Sequence, residues 1–270
     1  MRYFVADAFT DRLFSGNPAG VCLLEDWPDD KRLLNIAAEN NLSETAFLVR
    51  RDDGWALRWF TPKVEVDLCG HATLASAFVI MNFVDAGCSR ADFYTQSGHL
   101  AVERKQDRYV LDFPARAPRP CLAPETLEKA LGARVLETHL SRDLLVLLES
   151  ERAVRELSPD MELLNRLPDI LGVIVTAKGE SADFVSRFFA PMAGIPEDPV
   201  TGSSHCTLIP FWSARLNKKI MEAAQLSARG GRLYCEDCGE RVKIGGNAVL
   251  YLSCEIPDRQ EGDRTHEQHY

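Results

Sequence analysis

Short runs in which hydrophobic and polar residues alternate occur along most of the chain, and this is the pattern of half-buried β-strands. The strands predicted in this way cover residues 2–9, 18–24, 46–51, 55–60, 92–95, 99–104, 108–113, 136–140, 144–149, 172–177, 183–188, 225–229, 232–235, 241–245 and 248–254. Helical spacing predicts helices over residues 30–41, 71–84, 124–131, 160–166 and 203–218. Helices 71–84 and 203–218 are apolar on nearly every side, so we expect both to be buried.

The order of these elements occurs twice. Residues 30–35 are matched by residues 160–165, and the aromatic–proline motif at 58–62 is matched by the one at 187–191, about half of the 270-residue chain later. The repeat predicts an α+β fold with two pseudo-symmetric halves. Each half is expected to be a strongly bent, mostly antiparallel, barrel-like sheet around a central helix. The cleft between such halves is the natural place for a shared site.

A proline-rich, charged stretch near the midpoint, residues 114–120, predicts the connection between the halves. We therefore expect an N-terminal half over residues 1–115 and a C-terminal half over residues 116–257, whose last strand could also pack on the first half. Residues 258–270 are polar and aperiodic, and we expect a disordered tail there.

Composition narrows the class of protein. Hydrophobic residues make up 46% of the chain and charged residues 26%, which is typical of a globular protein. The net charge of −9 argues against a general binder of nucleic acids or anionic membranes. No apolar run approaches the roughly 18 residues of a membrane span, and the N-terminus lacks the apolar core of a signal peptide. The eight cysteines show no framework spacing, so reduced thiols and a cytoplasmic location are expected.

The pair Cys235 and Cys238 has the spacing of a redox motif or of half a zinc site. No second pair with ligand spacing follows, and residues 236–239 have the composition of a hairpin turn, so we favour the turn. No glycine-rich dinucleotide motif follows a predicted strand either. The sequence thus predicts neither a metal nor an organic cofactor.

Each proline motif leads into a glycine turn and then a helix. Gly70 and His71 follow the first motif, and Thr201, Gly202 and Ser203 follow the second. Helix N-termini carry unpaired N–H groups and partial positive charge, so both suit a substrate carboxylate. The expected ligand is therefore a small anionic metabolite, and a homodimer is possible.

The candidate acid–base groups are Glu44, His71 and Asp198. Glu44 lies in an apolar stretch whose burial would raise its pKa, although a helix-capping role is the alternative. Asp198 precedes a proline and is predicted either to cap the following helix or to bind a substrate amine or hydroxyl. His71 could donate to a carboxylate, act as an acid or be structural. Asn17 has a turn-like context and is a weaker candidate contact, and Ser43 adjoins Glu44.

Several segments resemble the signature blocks of the PhzF-like family, named for a phenazine-biosynthesis isomerase. The matching blocks are residues 15–21, 41–47, 68–73, 197–203 and 225–231, and the resemblance covers residues 1–256. It implies the fold of diaminopimelate epimerase and a cofactor-independent activity. In the family's isomerase, a glutamate at the position of Glu44 moves a proton between carbons of a cyclohexadiene carboxylic acid. Residues matching His71, Asp198 and Ser203 line the same pocket.

One departure from the wider fold bears on the chemistry. Diaminopimelate epimerases place one catalytic cysteine in each half, whereas here Cys69 stands in the first half and Pro199 is taken as the matching residue of the second. A two-thiol racemase would lack one base, so we expect Glu44 to carry the proton with help from Asp198 or His71.

Three functions remain open at this point. The first is an isomerase that shifts a proton on a small carboxylic acid. The second is an amino-acid epimerase or racemase that uses Glu44 as one base and Cys69 or Asp198 as the other. The third is a non-catalytic protein that binds a small molecule, because a fold does not determine chemistry.

Overall fold

The computed structural model describes residues 1–167 and 170–257. The strands of the first half are β1 (Arg2–Ala8), β2 (Asn17–Leu24), β3 (Glu44–Arg51), β4 (Gly54–Phe60), β5 (Glu65–Val66), β6 (Arg90–Thr95), β7 (Gly98–Lys105) and β8 (Arg108–Pro114). Its helices are α1 (Asp30–Asn40) and α2 (Gly70–Val79), and α2 continues into a π-helical turn at Ile80–Val84.

The remaining strands are β9 (Arg119–Pro120), β10 (Glu137–Leu140), β11 (Leu144–Leu147), β12 (Val173–Lys178), β13 (Phe184–Ala190), β14 (Ile195–Asp198), β15 (Ile220–Gln225), β16 (Gly231–Asp237), β17 (Arg241–Gly246) and β18 (Ala248–Glu255). The helices are α3 (Leu127–Leu131), α4 (Glu151–Arg155), α5 (Met161–Leu164) and α6 (Gly202–Leu216), with a 3-10 turn at Pro191–Ala193.

The strand pairings repeat between the halves. In the first half β2 pairs in parallel with β3, β3 forms a hairpin with β4, and β4 pairs in parallel with β6. In the second half the same relations join β11 to β12, β12 to β13, and β13 to β15. The central helix follows the third strand of each set, since α2 lies between β5 and β6 and α6 lies between β14 and β15. The predicted fold class is confirmed.

The two halves are joined by their sheets. β18 follows β17 along the chain and pairs antiparallel with β1. At the equivalent place, β9 follows β8 and pairs antiparallel with β10. β8 and β17 pair antiparallel, so the described strands form one continuous 18-stranded sheet. This pairing brings the N-terminal ends of α2 and α6 face to face.

Burial of α2 and α6 follows from their composition. Nine residues of α2 are buried, and its side chains are apolar or small on all sides. In α6 the buried set includes Leu208, Ile209, Phe211 and Trp212. A helix without a polar face is stable only inside a core, and the surrounding sheets provide it. Both helices are central, as the sequence predicted.

A close approach of backbones occurs where these helices begin. A Cβ atom placed on Gly70 would lie 3.5 Å from Cα of Gly202, and the reverse distance is also 3.5 Å. The two helix N-termini therefore approach each other closely across the boundary between the halves. A methyl group on either glycine would be in ordinary van der Waals contact with the other glycine.

The repeat also includes a matching half-buried ion pair in each half. Arg58 donates two hydrogen bonds to Glu65, both of 2.7 Å, and Arg187 donates two to Glu197, of 2.7 and 2.9 Å. Each arginine lies on the strand before a proline turn and each glutamate on the short strand after it. Each bidentate pair therefore closes its proline turn, next to the N-terminal end of a central helix.

Some predicted elements are wrong. The strand predicted at 225–229 lies earlier, at Ile220–Gln225, because residues 226–230 form the hairpin turn that brings Gln225 opposite Gly231. The short helix α4 was not predicted, since its five residues are too few to show a helical period. The connection between the halves at residues 114–120 stays a prediction. Within it, the N–H groups of Ala115 and Arg116 donate to the carbonyls of Glu240 and Cys206. The predicted tail at 258–270 lies outside the described residues.

The cysteine motif is a hairpin, as predicted. Cys235 is buried on β16, and Cys238 is exposed in the turn before β17. All eight cysteines have free thiols. Among the described helices, none combines the length and apolar character that a bilayer crossing requires.

Candidate active site

A cleft of about 730 Å³ opens where the two halves meet. This volume is typical of a site for a small metabolite. Residues of both proline turns and of both helix N-termini line it. The cleft brings together nearly all of the predicted site residues, which are Ser43, Glu44, Gly70, His71, Asp198, Thr201, Gly202 and Ser203.

Glu44 is the first residue of β3 and its side chain is almost fully buried. The parallel pairing of β3 with β2 fixes its backbone beside Ala19. Its Oε2 accepts no hydrogen bond from any described residue. Burial, followed by the negative charge of Asp198, raises the pKa of Glu44 to about 8, although a hydrogen bond with Cys69 acts in the opposite direction. The carboxyl is therefore neutral in most molecules at pH 7.

His71 connects Glu44 to Cys69. Its Nε2 lies 3.2 Å from Oε2 of Glu44, and its Nδ1 lies 3.5 Å from Sγ of Cys69. Burial lowers the pKa of His71 to about 3, so the ring is neutral and the contact with Glu44 is not an ion pair. The Glu44 contact is also too poorly aligned to count as a hydrogen bond, since both atoms remain unpartnered. A small rotation of either side chain would give a hydrogen bond over this distance.

Asp198 is held from two sides. Asn17 Nδ2 donates to Oδ1 over 2.7 Å, and Thr201 Oγ1 donates to Oδ2 over 2.6 Å. Burial raises the pKa of Asp198 to about 6, while these two hydrogen bonds lower it. Asp198 is consequently an anion at pH 7, and this charge contributes to the raised pKa of Glu44.

Asn17 is placed differently from its prediction. It is fully buried, and it is absent from the residues that line the cleft. Its amide donates to Asp198 and to the carbonyl of Val200, so Asn17 positions the acidic group and does not itself reach the cleft. Tertiary structure decides this, because 181 residues separate Asn17 from Asp198.

Gln225 is a site residue that the residue-by-residue reasoning missed. Its Nε2 donates to the carbonyl of Asp198 and to Thr201 Oγ1, and its Oε1 accepts from the N–H of Thr201. The side chain is buried and fixes the turn before α6. The available signal was the matching block at 225–231, whose first residue is this glutamine.

The helix N-termini of the cleft are open. Cys69 is the N-cap of α2 and Thr201 is the N-cap of α6, and neither side chain makes a capping hydrogen bond, although the N–H of Ala72 lies near the Cys69 sulfur. Thr201 is instead committed to Asp198. The first N–H groups of both helices therefore remain available to an anion.

The two N-cap residues show which residue of the second half is equivalent to Cys69, and this differs from the prediction. Cys69 and Thr201 occupy equivalent positions, so Pro199 is not the counterpart of Cys69. Three residues separate β5 from α2, and three separate β14 from α6, so the extra residues of the second half lie before the end of β14. Asp198 ends β14 and is not the helix cap. The second half still lacks a thiol at the equivalent place.

Glu44, Cys69 and His71 offer three metal-ligand atoms within 4.8 Å of one another. No spacing in the sequence indicates this cluster, because folding brings residue 44 beside residues 69–71. The protonation states act against a resident cation, since burial raises the pKa values of the Cys69 thiol and of the Glu44 carboxyl. A metal would have to displace both protons.

Fold and site together define a class of protein, an isomerase built on the epimerase-type fold. A family model described as "Phenazine biosynthesis-like protein" matches residues 6–254. The chain therefore belongs to the phenazine biosynthesis-like family, as the sequence blocks indicated.

Relatives extend over the same length. The chain is 54% identical to a protein of Pseudomonas aeruginosa named an uncharacterized isomerase, with 95% of this chain and 98% of the relative covered. A protein of Halalkalibacterium halodurans with the same kind of name is 45% identical, with 94% and 97% covered. Among solved structures, a PhzF-family protein from Enterococcus faecalis is 48% identical with a TM-score of 0.93, over 95% of this chain and 98% of that one.

The likeness continues at the level of the fold alone. A probable proline racemase from Agrobacterium radiobacter is 10% identical and has a TM-score of 0.64. It covers 97% of this chain, so both halves and their arrangement are shared.

Proposed function

We propose that this protein is a cofactor-independent isomerase that moves a proton between carbons of a small carboxylic acid, as trans-2,3-dihydro-3-hydroxyanthranilate isomerase does. The observation that carries the proposal is Glu44. It is a buried carboxyl with a pKa of about 8, and it faces a cleft into which two uncapped helix N-termini open.

The helix N-termini account for binding and orientation. A substrate carboxylate would accept hydrogen bonds from the N–H groups at Gly70 and at Gly202 or Ser203. Both glycines lie at the contact between the halves, so one anion can reach both helices. Lys63 and Arg142 add positive charge to the lining. Fixing the carboxylate in this way holds a neighbouring C–H bond near Glu44, which provides the orientation term of catalysis.

Glu44 accounts for the proton transfer. A carboxylate with a pKa near 8 is a stronger base than an ordinary glutamate, and this suits removal of a proton from carbon. The C–H electrons form the new double bond, the original double bond shifts, and a distal carbon becomes the acceptor. The protonated Glu44 then returns its proton to that carbon. No proton or electron is gained or lost overall.

His71 and Asp198 support this transfer in different ways. The neutral His71 can donate to Glu44 in the tautomer that carries the hydrogen on Nε2, which stabilises the ionised carboxylate. Asp198 is a fixed anion beside the same carboxyl, so it makes Glu44 more basic. Their separate environments divide the roles between the two acids.

Epimerisation or racemisation of an amino acid is the second candidate. The Cys69 thiol, hydrogen-bonded to His71, and the shared fold of a proline racemase favour it. The absence of a thiol at Thr201 weighs against a two-thiol mechanism. A non-catalytic binding role remains the third alternative, although the pKa of Glu44 has no use in it.

The proposed ligand is a small anionic metabolite. An overall charge of −9 disfavours nucleic acid as a partner, so attraction of the anion would be local to the helix N-termini. We further propose that the protein is cytoplasmic and forms a homodimer. The proposed reaction needs neither a metal nor an organic cofactor.

The deciding experiment is proton exchange in D₂O. The protein is incubated with trans-2,3-dihydro-3-hydroxyanthranilate and with a set of β,γ-unsaturated cyclic acids, and products are followed by ¹H and ²H NMR. Deuterium at a new carbon, together with a shifted double bond, supports the isomerase. Loss of optical activity with deuterium at the original carbon indicates the epimerase instead. Saturable binding without exchange would leave only the binding role.

A further inference from the structure

The second half carries a buried carboxyl that the mechanism above does not use. Asp143 precedes β11 and is 2% exposed, and it is among the residues that line the cleft. Its Oδ1 accepts no hydrogen bond from any described residue. An unpartnered carboxyl oxygen that is buried at this level costs free energy of folding, so its presence at a cleft calls for a partner.

The register of the strands shows that Asp143 lies next to the residue of the second half that is equivalent to Glu44. Thr45 pairs with Phe60 in the first half, and Val173 pairs with Phe189 in the second. The two phenylalanines occupy the same place in the repeated proline motif. Thr45 and Val173 are therefore equivalent, and so are the residues before them, Glu44 and Gly172.

The neighbouring parallel strand supplies the carboxyl in the second half. Leu144 is opposite Val173, so Asp143 adjoins Gly172 in the way that Ala19 adjoins Glu44. A Cβ on Gly172 would lie 3.0 Å from Oδ1 of Asp143 and would overlap the ring of Phe188. The ring of Phe188 thus fills the space of a side chain at Gly172, and the Asp143 carboxyl borders that space. Each half presents one carboxyl to the cleft from nearly the same place.

The surroundings keep Asp143 without an internal partner. Arg142 and Arg116 are close enough to lower the pKa of Asp143, but burial outweighs them and the pKa is raised. Neither arginine forms an ion pair with it among the described residues, and Arg116 Nη1 is itself unpartnered. The carboxyl is therefore available to a group that enters the cleft.

We propose that Asp143 is a substrate-binding residue that accepts a hydrogen bond from an amine or hydroxyl on the substrate. The inference rests on the proposed function, because it takes the cleft as the substrate site and the helix N-termini as the carboxylate site. The substrate class is then a carboxylic acid that bears a hydrogen-bond donor, held on the side of the C-terminal half while Glu44 acts from the N-terminal half.

Binding of three related acids tests this role without requiring turnover. The probes are cyclohexanecarboxylate and its cis-2-hydroxy and cis-2-amino derivatives, measured by isothermal titration with wild type, Asp143→Asn and Asp143→Ala. The control is Glu151→Gln, which removes a buried carboxyl of the same half outside this cleft. Circular dichroism melts establish that each variant is folded.

We expect at least one substituted acid to bind wild type about 10- to 150-fold more tightly than the parent acid, the range for one hydrogen bond to a charged group. Asp143→Ala should abolish that gain and leave the parent acid within about twofold. In Asp143→Asn the hydroxy acid should keep part of its gain in affinity, since an amide oxygen can still accept a hydrogen bond from a hydroxyl. The amino acid derivative should lose its gain, because the amide lacks the negative charge that attracts an ammonium group.

Two results would overturn the inference. If the substituent's gain survives in Asp143→Ala, another residue binds the donor. If the parent acid loses as much affinity as its derivatives, Asp143 acts on the shape of the cleft and not on the substituent. Failure of the proposed function looks different, because then wild type would bind none of the three acids or would show no exchange in D₂O.

Discussion

Oε2 of Glu44 lies 3.2 Å from Nε2 of His71, and both side chains are mainly neutral at pH 7. Burial produces both states, since it disfavours the carboxylate and the imidazolium alike. The pair therefore holds one acidic proton on a carboxyl beside a ring that can donate or accept. A group that must both remove and return a proton near neutral pH needs such an arrangement.

Replacing Glu44 should separate binding from turnover. Glu44→Gln keeps the size of the side chain but cannot accept the proton, so we expect turnover to fall by about two to four orders of magnitude, the usual share of a general base. Binding of a carboxylate ligand should stay within a few-fold. Steady-state rates of deuterium exchange and titration calorimetry measure the two effects. If Glu44→Gln kept near-wild-type turnover while Asp198→Asn abolished it, Asp198 would be the base.

The same substitution should stabilise the protein at high pH. The pKa of Glu44 is near 4.5 in the unfolded chain and about 8 in the fold, so the folded state loses stability as pH rises through this window. Glu44→Gln removes the ionisation, and its unfolding free energy at pH 8.5 should exceed that of wild type by on the order of 2 kcal/mol. Urea unfolding at pH 4.5 and 8.5 measures the difference, which should vanish at the lower pH. Equal pH dependence in both proteins contradicts the raised pKa.

Asp198 should shift the pH dependence of activity. Glu44 must be ionised to act as a base, so kcat/KM is expected to rise with pH around a midpoint near 8. The Asp198 anion contributes to that value, and Asp198→Asn removes the charge, so the midpoint should move to lower pH. The matched control is Glu197→Gln, which alters the neighbouring carboxylate that is already paired with Arg187. A pH–rate profile for each variant decides, and an unchanged midpoint in Asp198→Asn would show that the two acids are not coupled.

The central helix of the first half should dominate stability. Leu74 of α2 is fully buried, and Leu74→Ala would leave a cavity at the centre of the sheet, at a cost of about 2–5 kcal/mol. Ile220 is 69% exposed at the start of β15, and Ile220→Ala should change stability by less than about 0.5 kcal/mol. Urea denaturation of both variants tests this. Comparable losses would mean that α2 is not the packed core.

Metal should inhibit this protein and not activate it. The purified protein is expected to contain far less than one equivalent of zinc and to keep its activity in EDTA. Added Zn²⁺ should inhibit more strongly as pH rises, because Glu44 and Cys69 must lose protons to bind it at the site that they form with His71. Cys69→Ser should weaken the inhibition. Stoichiometric zinc that is lost together with activity on chelation would instead show a metalloenzyme.

The elements that the sequence predicted correctly are those that local patterns of residues specify. The alternation that predicts β3 and β4 and the all-apolar character of α2 and α6 depend on neighbouring residues, so they are visible in one chain. The strand at 225–229 was misplaced because Met221 and Ala223, which are buried, alternate with residues that a turn could equally contain. The division into halves at residue 115 stays a prediction, and β18 and β8 tie the halves together through sheet pairing.

By itself, the sequence determined the repeat, the two central helices and the candidate acid Glu44, because periodicity, glycine turns and an acid among apolar residues are local properties. Tertiary structure decided which groups meet. It turned Asn17 into a support for Asp198, made Thr201 the counterpart of Cys69, and brought Asp143 to the cleft beside an empty position at Gly172. The physical reason is that hydrogen bonds, burial and pKa values depend on distances in space, and strand register sets these between residues more than a hundred positions apart.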